Sequence, residues 1–360
     1  MRSNEPVPPP TVSVLLPVRN GARFLALALD SLIGQANISH EIIAIDDGSR
    51  DETPTILRRY AALHDGLRIV AGQGDGLSHA LNLGLVHARG RYIARMDADD
   101  IALPGRLAAQ CHYLDRHPEI GVLGTQALRI DPAGIRSGQI RVPTGPHRVH
   151  AALGISCALI HPTVMLRREP LLAVGGYRPQ FDGAEDYDLW LRLSEITELD
   201  NLREPWLLWR QHNSQVSIRY ALRQARRAAL ALLSHQWRRK GAADPLADQQ
   251  TLRGWRYRFS SMDSTAVLRL HALTAAAFVD NGGSLRRRGS AYLEAICKRI
   301  DRHDQALTRR IALACVRHQR QLVRAGRWRE ALARWPVHLA SCDTELLRAY
   351  FTHASILWRS

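Results

Sequence analysis

The feature that most constrains the fold is an alternation of strand-like and helix-like segments over the first hundred residues. Between apolar runs, ARFLALALDSLIGQ carries leucine and isoleucine at helical spacing, and LSHALNLGLVHA has the same character. The strand-like runs are TVSVLLP (11–17), EIIAI (41–45), LRIV (67–70) and RYIARM (91–96). Repeated β-α-β units with short connections predict an α/β fold, with a mostly parallel sheet covered by helices on both faces.

Two acidic clusters follow two of these strands, at the sheet edge where such folds bind ligands. Asp46 and Asp47 follow EIIAI, and the sequence DADD begins at Asp97 after RYIARM. Asp97 and Asp99 face the same way in an extended segment, which suits a divalent cation such as Mg²⁺ or Mn²⁺. Asp100 faces the other way and is expected to serve the loop or to cap a helix opening at Pro104. The alternative is a turn and a helix cap without chemistry, since Asp is common in both.

A third acidic group opens the segment GAEDYDLWLRL. Asp186 shares a helical face with Leu189, Trp190 and Leu193, so its carboxylate is expected to point inward. Desolvation there raises the proton affinity of a carboxylate, which suits a general base. The alternative is a carboxylate placed only to favour the helix dipole. Asp188 and Arg192 are expected to form a surface i, i+4 pair.

Charge divides the chain at about residue 218. Residues 1–218 carry 22 Lys and Arg against 24 Asp and Glu, whereas residues 219–360 carry 27 against 10, a surplus of 17. Strand signals disappear after this point, and Arg-rich helical stretches are predicted at 220–240, 264–279, 289–300, 303–325 and 328–340. Two regions with different partners are therefore predicted.

Three interpretations of the basic region remain open. It is a solvated Arg-rich helical surface, or it contacts an anionic membrane through arginines interleaved with aromatic residues, as in RGWRYRF. Nucleic-acid binding is the third, and it is not expected because no nucleic-acid motif is present. Five scattered cysteines without a CxxC pair fit a reducing cytosolic compartment. The opening MRSNEPVPPPT lacks the apolar core of a signal peptide, and residues 1–10 are expected to be a disordered lead-in.

Six motifs in order resemble family-2 glycosyltransferases, which have the GT-A fold. They are VSVLLPVRNGARFLALALDSLIGQ, IIAIDDGSRDET, GRYIARMDADDIALPGRL, HPTVMLRRE, GAEDYDLWLRL and WRQHNSQVS. The resemblance covers residues 11–218 and implies a GT-A domain there, followed by a basic α-helical region over 219–360. The chain departs from the family at GQGDGLSHALN, where only Gly76, Leu77 and Asn82 fit the usual pattern.

The resemblance implies roles for individual residues on the donor side. The nucleotide pocket is lined by Pro17, Arg19, Asn20, Asp46, Asp47 and Asp97. One carboxylate of the pair Asp46 and Asp47 contacts the base, expected to be uracil. Asp99 holds a divalent cation with help from Asp97, and His212 matches a residue that lies near the metal or diphosphate in some relatives. A lone histidine is more often structural.

On the acceptor side, the resemblance implies that Asp186 is the catalytic base and that Glu185 orients the acceptor or the base. Arg95 and Arg106 either neutralise phosphate or carboxylate charge in the site, or pair with aspartates within the fold. The implied reaction is an inverting transfer from a nucleotide sugar, expected to be a UDP-sugar, to a hydroxyl of a glycan or polyprenyl-diphosphate-linked saccharide. Mn²⁺ or Mg²⁺ acts there as a Lewis acid.

Cell-surface polysaccharide synthesis in the cytoplasm, at the inner face of the membrane, is the expected setting. The alternative is a catalytically inactive GT-A-like module that binds a membrane or a biosynthetic complex through residues 219–360. A screen for nucleotide-sugar hydrolysis distinguishes them, because a binding module releases no nucleoside diphosphate.

Overall fold

A computed structural model describes residues 8–154, 156–212, 221–244 and 246–247. Within these residues the strands are β1 Val12–Val18, β2 His40–Asp46, β3 Leu67–Ala71, β4 Tyr92–Arg95, β5 Ile101–Ala102, β6 Ile120–Ile130, β7 Arg136–Ile140, β8 Met165–Arg167 and β9 Glu198–Arg210. The helices are α1 Ala22–Ile33, α2 Thr53–Leu63, α3 Leu77–His87, α4 Arg106–Arg116, α5 Pro146–Leu153, α6 Arg168–Ala173, α7 Glu185–Leu193 and α8 Ala221–Arg239. Short 3-10 turns lie at His161–Thr163 and Pro179–Phe181.

The four strands predicted from the first hundred residues are confirmed, and they form the parallel part of one sheet. Their order is β3-β2-β1-β4, and Val18 pairs with Asp46 while Leu15 pairs with Arg95. This register brings the carboxyl ends of β1, β2 and β4 to one edge. Asp46, at the end of β2, and the loop after β4 that carries Asp97 therefore lie on either side of the end of β1.

The rest of the sheet is mixed, so the prediction of a mostly parallel sheet was wrong for this half. Beyond β4 the order continues β8-β6-β9-β5, with β8 antiparallel to both of its neighbours and β7 paired antiparallel to β6. The turn between β6 and β7 is too short for the helical crossover that parallel neighbours need. β6 and β9 are parallel along most of their length. This pairing places Arg210, the last residue of β9, near the loop after β4.

Successive side chains of β1 point to opposite faces of the sheet, and each face is covered by different helices. Val14, Leu16 and Val18 join a core cluster with apolar residues of α1, α2 and α4. Leu15 points to the other face, where Gly84 of α3 lies so close that a β-carbon there would come within 3.0 Å of it. Helices thus cover both faces of the parallel strands, as predicted.

The chain divides into two compact units, one of Met1–Leu153 with Cys157–Asn213 and the other of Gly154–Ser156 with Ser214–Ser360. In the second unit the structure describes α8, and the other predicted helices of the basic region lie outside the described residues, as does the predicted boundary at 218. None of the described helices has the length and apolar character needed to cross a bilayer. Cys111 and Cys157, the cysteines within the described residues, are free thiols.

Candidate active site

Three aspartates converge in the loop after β4. Carboxylate oxygens of Asp97, Asp99 and Asp100 lie within 4.8 Å of one another. Asp100 is 1% exposed and accepts a hydrogen bond from the backbone N–H of Arg210 at 2.8 Å. Its Oδ2 is buried without a hydrogen-bond partner among the described residues. Desolvation and the charges of Asp97 and Asp99 raise the pKa of Asp100 well above its usual range.

The expectation that Asp100 faces away from Asp97 and Asp99 was therefore wrong, and so was the first of its two expected roles, the cap of a helix at Pro104; a role in holding the loop is not contradicted. α4 begins at Arg106 rather than Pro104, and Gly105 precedes it without a side-chain cap. The reason is tertiary: β9 pairs with β5 and places the N–H of Arg210 where the Asp100 carboxylate accepts it. Asp100 is held beside the other two carboxylates instead of capping α4.

His212 completes this cluster. Its Nε2 lies 2.8 Å from Oδ2 of Asp99, and its ring centroid is 5.7 Å from that of Phe24 on α1. Desolvation and the charge of Asp97 raise the pKa of Asp99, although His212 opposes the shift. Clustered carboxylate oxygens, one of them buried and unpartnered, with an imidazole alongside, form a donor set that fits Mg²⁺ or Mn²⁺.

The two arginines considered for phosphate contact are both buried. Arg95 is 3% exposed and pairs with Asp97 at 2.6 Å, whereas Arg106 is 1% exposed. Arg106 donates to Oε1 of Gln110 at 3.1 Å and to the backbone oxygen of Arg95 at 2.8 Å. Desolvation lowers the pKa of Arg106 to about 9. The expected contact of Arg106 with phosphate was therefore wrong. Arg106 is a structural residue, because its guanidinium is enclosed beneath the loop and does not reach the cleft.

On the nucleotide side, the residues after β1 and β2 are linked across their two loops. Asn20 donates its N–H to Oγ of Ser49 at 2.9 Å, and its side-chain oxygen accepts the N–H of Arg50 at 2.8 Å. Pro17 is buried within β1, and Arg19 is exposed beside it. The expected nucleotide residues are thus gathered at the edge where β1 and β2 end.

Asp46 and Asp47 differ in what their carboxylates can still bind. Oδ1 of Asp47 accepts the N–H of Gly74 at 2.8 Å, and Oδ2 accepts the N–H of Gly76 at 3.1 Å. Both oxygens of Asp47 therefore hold the neighbouring loop. Asp46 is half-buried and accepts the N–H of Ser49 through Oδ1. Of the pair, Asp46 has the carboxylate better placed to contact a base.

The same loop is also held by Asp182, which precedes α7 and which sequence reasoning missed. Oδ1 of Asp182 accepts both the N–H and the hydroxyl of Ser78, at 3.1 and 2.7 Å. Gly76 has φ +102°, and a β-carbon there would lie 2.6 Å from Oδ2 of Asp182. The repeated glycines of GQGDG were the available signal, because two carboxylates approach this backbone too closely for side chains.

Glu185 and Asp186 open α7 next to each other but in different surroundings. Glu185 is 5% exposed, and desolvation together with the charge of Asp186 raises its pKa to about 8. Asp186 is half-buried; its Oδ1 accepts the N–H of Tyr187 at 2.7 Å, and its Oδ2 lies 3.7 Å from Sγ of Cys157. Desolvation raises the pKa of Asp186, while the Tyr187 N–H and the charge of Arg95 oppose that rise. Asp186 is the more accessible of the two carboxylates.

The predicted i, i+4 pair of Asp188 and Arg192 is confirmed, but its predicted place on the surface was wrong. Asp188 is fully buried, and Oδ2 accepts hydrogen bonds from Nε of Arg192 at 2.9 Å and from Nε of Arg178 at 3.0 Å. Arg192 is 7% exposed and also donates to the backbone oxygens of Val174 and Gly176. The chain encloses α7 on all sides, so its polar face is internal and anchors the helix.

Behind Glu185 lies a second histidine, from the HPTV motif. His161 is 8% exposed; Nε2 is 3.0 Å from the hydroxyl of Tyr177, and Nδ1 is 4.0 Å from Oε1 of Glu185. Desolvation and the charge of Arg95 lower the pKa of His161 well below its usual value, so the imidazole is neutral. The motif was visible in the sequence, but only the fold brings it beside α7.

Comparison with known proteins agrees with this geometry. The sequence profile described as "Glycosyl transferase family 2" matches residues 13–175. EpsE of Bacillus subtilis (strain 168) is 36% identical over 190 residues, which are 52% of this chain and 67% of EpsE. The O-antigen biosynthesis glycosyltransferase WbnJ of Escherichia coli is 32% identical over 206 residues, covering 56% of this chain and 80% of WbnJ.

Among solved structures, S. aureus TarS 1-349 in complex with UDP-GlcNAc is similar with a TM-score of 0.51 at 15% identity, covering 91% of each chain. At this identity the likeness concerns the fold, and it confirms the predicted GT-A architecture. The family resemblance of the six motifs is likewise confirmed by the sequence relatives. The chain belongs to glycosyl transferase family 2 and is a glycosyltransferase with the GT-A fold.

Proposed function

We propose that this enzyme is an inverting, cation-dependent glycosyltransferase that moves a sugar from a UDP-sugar to a hydroxyl group in cell-surface polysaccharide synthesis. The observation that carries the proposal is the pairing of an acidic cluster at the end of β4 with an accessible carboxylate, Asp186, at the start of α7. The names of relatives support the setting, since WbnJ is named for O-antigen biosynthesis and AmsE of Erwinia amylovora for amylovoran biosynthesis. The UDP donor rests on the family resemblance.

In the proposed reaction, Asp186 accepts the proton of an acceptor hydroxyl. The hydroxyl oxygen forms a bond to the anomeric carbon of the donor, and the bond from that carbon to the diphosphate oxygen breaks on the opposite face. The proton ends on Asp186, and the electron pair leaves with the nucleoside diphosphate. A single displacement needs no second nucleophile, and Glu185, with its high pKa, stays protonated beside the base.

The residues proposed to hold a divalent cation are Asp97 and Asp99, with His212 alongside. Such a cation would supply Lewis-acid stabilisation of the diphosphate charge. The chain's own part is to gather three carboxylates and to offset their repulsion with Arg95 before any ligand arrives. Asp46, Arg19 and Asn20 are proposed to line the nucleotide pocket, with Pro17 beneath them.

The acceptor is proposed to be a glycan or polyprenyl-diphosphate-linked saccharide. The proposed location is cytoplasmic, at the inner face of the membrane. Support comes from the surplus of 17 basic charges in residues 219–360, because basic residues near an anionic bilayer contribute about 1 kcal/mol each.

Asp186→Asn tests the assignment of the base. General-base assistance is worth about 10²- to 10⁴-fold, so we expect transfer to fall by at least that factor. Binding of UDP with Mn²⁺, measured by calorimetry, should remain. A hydrolysis screen over nucleotide sugars first identifies the donor for this assay. Asp65→Asn, at an exposed position before β3 and at the opposite end of the strands, is the matched control. Near-normal turnover in Asp186→Asn rejects the assignment.

A further inference from the structure

Helix α3 begins without a cap from its own side chains. Its N-cap residue is Gly76, and the N–H and hydroxyl of Ser78 in the first turn both donate to Oδ1 of Asp182, at 3.1 and 2.7 Å. A carboxylate at this end of a helix is favoured by the helix dipole and satisfies an N–H that the helix leaves free. Asp182 therefore joins the start of α3 to the segment that leads into α7.

One turn further along α3, Asn82 holds the same segment. Its Nδ2 donates to the backbone oxygen of Tyr177 at 2.7 Å, and its Oδ1 accepts the N–H of Tyr177 at 2.8 Å. A β-carbon at Gly176 would lie 2.7 Å from Oδ1 of Asn82, so the backbone approaches this side chain closely. Ser78 and Asn82 are i, i+4 neighbours on one face of α3. α3 is thus bound at two points to residues 176–182, which we call the bridging segment.

α3 is itself packed tightly on the parallel part of the sheet. A β-carbon at Gly84 would lie 2.8 Å from Cδ1 of Ile45 on β2 and 3.0 Å from Cδ2 of Leu15 on β1, so the helix backbone rests directly on these strands. The N–H of Gly76 also donates to Oδ2 of Asp47 at 3.1 Å. Because close-packed interiors resist displacement, α3 places the bridging segment at a fixed distance from β1 and β2.

Helix α7 is bonded to the same segment. Nη2 of Arg192 donates to the backbone oxygen of Gly176 at 2.8 Å, and Nε of Arg178 donates to Oδ2 of Asp188 at 3.0 Å. Asp188 and Arg192 are both buried, and hydrogen bonds to charged groups are strong and directional. A continuous series of hydrogen bonds therefore runs from α3 through the bridging segment to α7, the helix that carries Asp186.

We propose that Asn82 and Asp182 are positioning residues for sugar transfer: through the bridging segment they hold the start of α7, and with it Asp186, at a fixed place relative to β1 and β2. The inference rests on the proposed role of Asp186 as the base. A misplacement of about 1 Å at a catalytic group can lower the rate about 10²-fold. Loss of either anchor should therefore lower turnover more than it lowers donor binding.

Hydrogen exchange of the full chain, followed by mass spectrometry, tests the inference without any substrate. Asn82→Ala removes both bonds to Tyr177. Gln126→Ala is the matched control, because buried Gln126 holds Val142 by the same fork, with Nε2 donating to the backbone oxygen at 3.1 Å and Oε1 accepting the N–H at 2.8 Å. We expect the amides of residues 185–190 to exchange about tenfold faster in Asn82→Ala and at the native rate in Gln126→Ala.

Turnover and donor binding give a second pair of measurements. With the donor found in the hydrolysis screen, Asn82→Ala should lower kcat about tenfold or more, whereas the Kd for UDP with Mn²⁺ should stay within about threefold because Asp47 still holds the loop before α3. Asp182→Asn keeps an oxygen that accepts from Ser78, so it should retain most of the turnover that Asp182→Ala loses. If Asn82→Ala does not fold, Asn82→Asp, which lacks the donor to Tyr177, takes its place.

Unchanged exchange at the start of α7 in the folded Asn82 variant overturns the inference. So does an equal rise in Gln126→Ala, because general destabilisation would then be the cause. Equal losses of kcat and of UDP affinity would show that the anchors serve donor binding rather than the base, and would also overturn it. The base assignment is judged separately by turnover of Asp186→Asn, so failure of the anchors and failure of the proposed function give different results.

Discussion

Five carboxylates of this site have different environments within one protein. Asp100 is enclosed and bonded to the N–H of Arg210, whereas Asp97 and Asp99 are half-buried. Glu185 is buried beside a half-buried Asp186. Desolvation raises the pKa of Asp99, Asp100, Glu185 and Asp186, while backbone N–H groups and neighbouring side chains oppose the rise to different extents.

Asp99→Ala should weaken the binding of UDP in the presence of Mn²⁺, because it removes a central oxygen of the acidic cluster. Losing one charged ligand should lower affinity about tenfold or more. Isothermal calorimetry with and without EDTA measures this. If native UDP binding is the same in EDTA, the divalent cation has no part in donor binding.

The high pKa of Glu185 predicts a pH-dependent cost to stability. The folded protein keeps the proton of Glu185 up to about pH 8, whereas the unfolded chain, where the pKa of the carboxyl is about 4.5, releases it at lower pH. The folded state therefore loses stability as pH rises from about 4.5 towards 8, on the order of 3 kcal/mol by pH 7. Denaturant unfolding of Glu185→Gln should lack most of this loss. Parallel pH profiles for the native chain and Glu185→Gln would contradict the prediction.

At the scale of secondary-structure elements, the loop between β3 and α3 is held by hydrogen bonds to two carboxylates from different parts of the chain. Asp47 follows β2 and binds the N–H groups of Gly74 and Gly76. Asp182 precedes α7 and binds Ser78 at the start of α3. The segment that departs from the family pattern is therefore tied to the nucleotide side and to the helix that carries Asp186.

Gly76→Ala should destabilise the protein more than Gly134→Ala. Both glycines have positive φ, +102° and +86°, but a β-carbon at Gly134 meets nothing within 4 Å, whereas at Gly76 it would lie 2.6 Å from Asp182. Backbone strain alone costs about 1–2 kcal/mol, and the collision should add a similar amount. Guanidinium unfolding of both variants measures the difference. Equal losses would show that Asp182 moves aside without cost.

At the scale of the whole molecule, two parts of one sheet bring distant segments of the chain to the loop after β4. The parallel strands β1 to β4 lead into the loops that carry Asp47 and the acidic cluster. The mixed strands β6, β8 and β9 carry the chain back, so that Arg210 and His212 reach the loop after β4. The basic region that follows has a surplus of 17 positive charges.

That surplus predicts binding of the full chain to anionic vesicles at low salt. Basic residues close to an anionic surface are attracted over about a Debye length, so binding should fall as ionic strength rises. Sedimentation with vesicles of anionic phospholipid measures this, and neutral vesicles are the control. Failure to sediment with anionic vesicles at low salt removes the membrane interpretation and favours a solvated basic surface.

Local patterns in the sequence determined the strands and helices of the first hundred residues, because alternation and helical spacing depend on near neighbours. They also placed the acidic clusters at strand ends, and the order of six motifs indicated the family. Only the tertiary structure decided that Asp100 joins Asp97 and Asp99, that both oxygens of Asp47 hold a loop, and that Arg106 is enclosed. Helical spacing along the sequence likewise could not predict that the Asp188–Arg192 pair would be buried. These outcomes depend on which distant strands and helices pack together, and residue spacing along the chain carries no record of that.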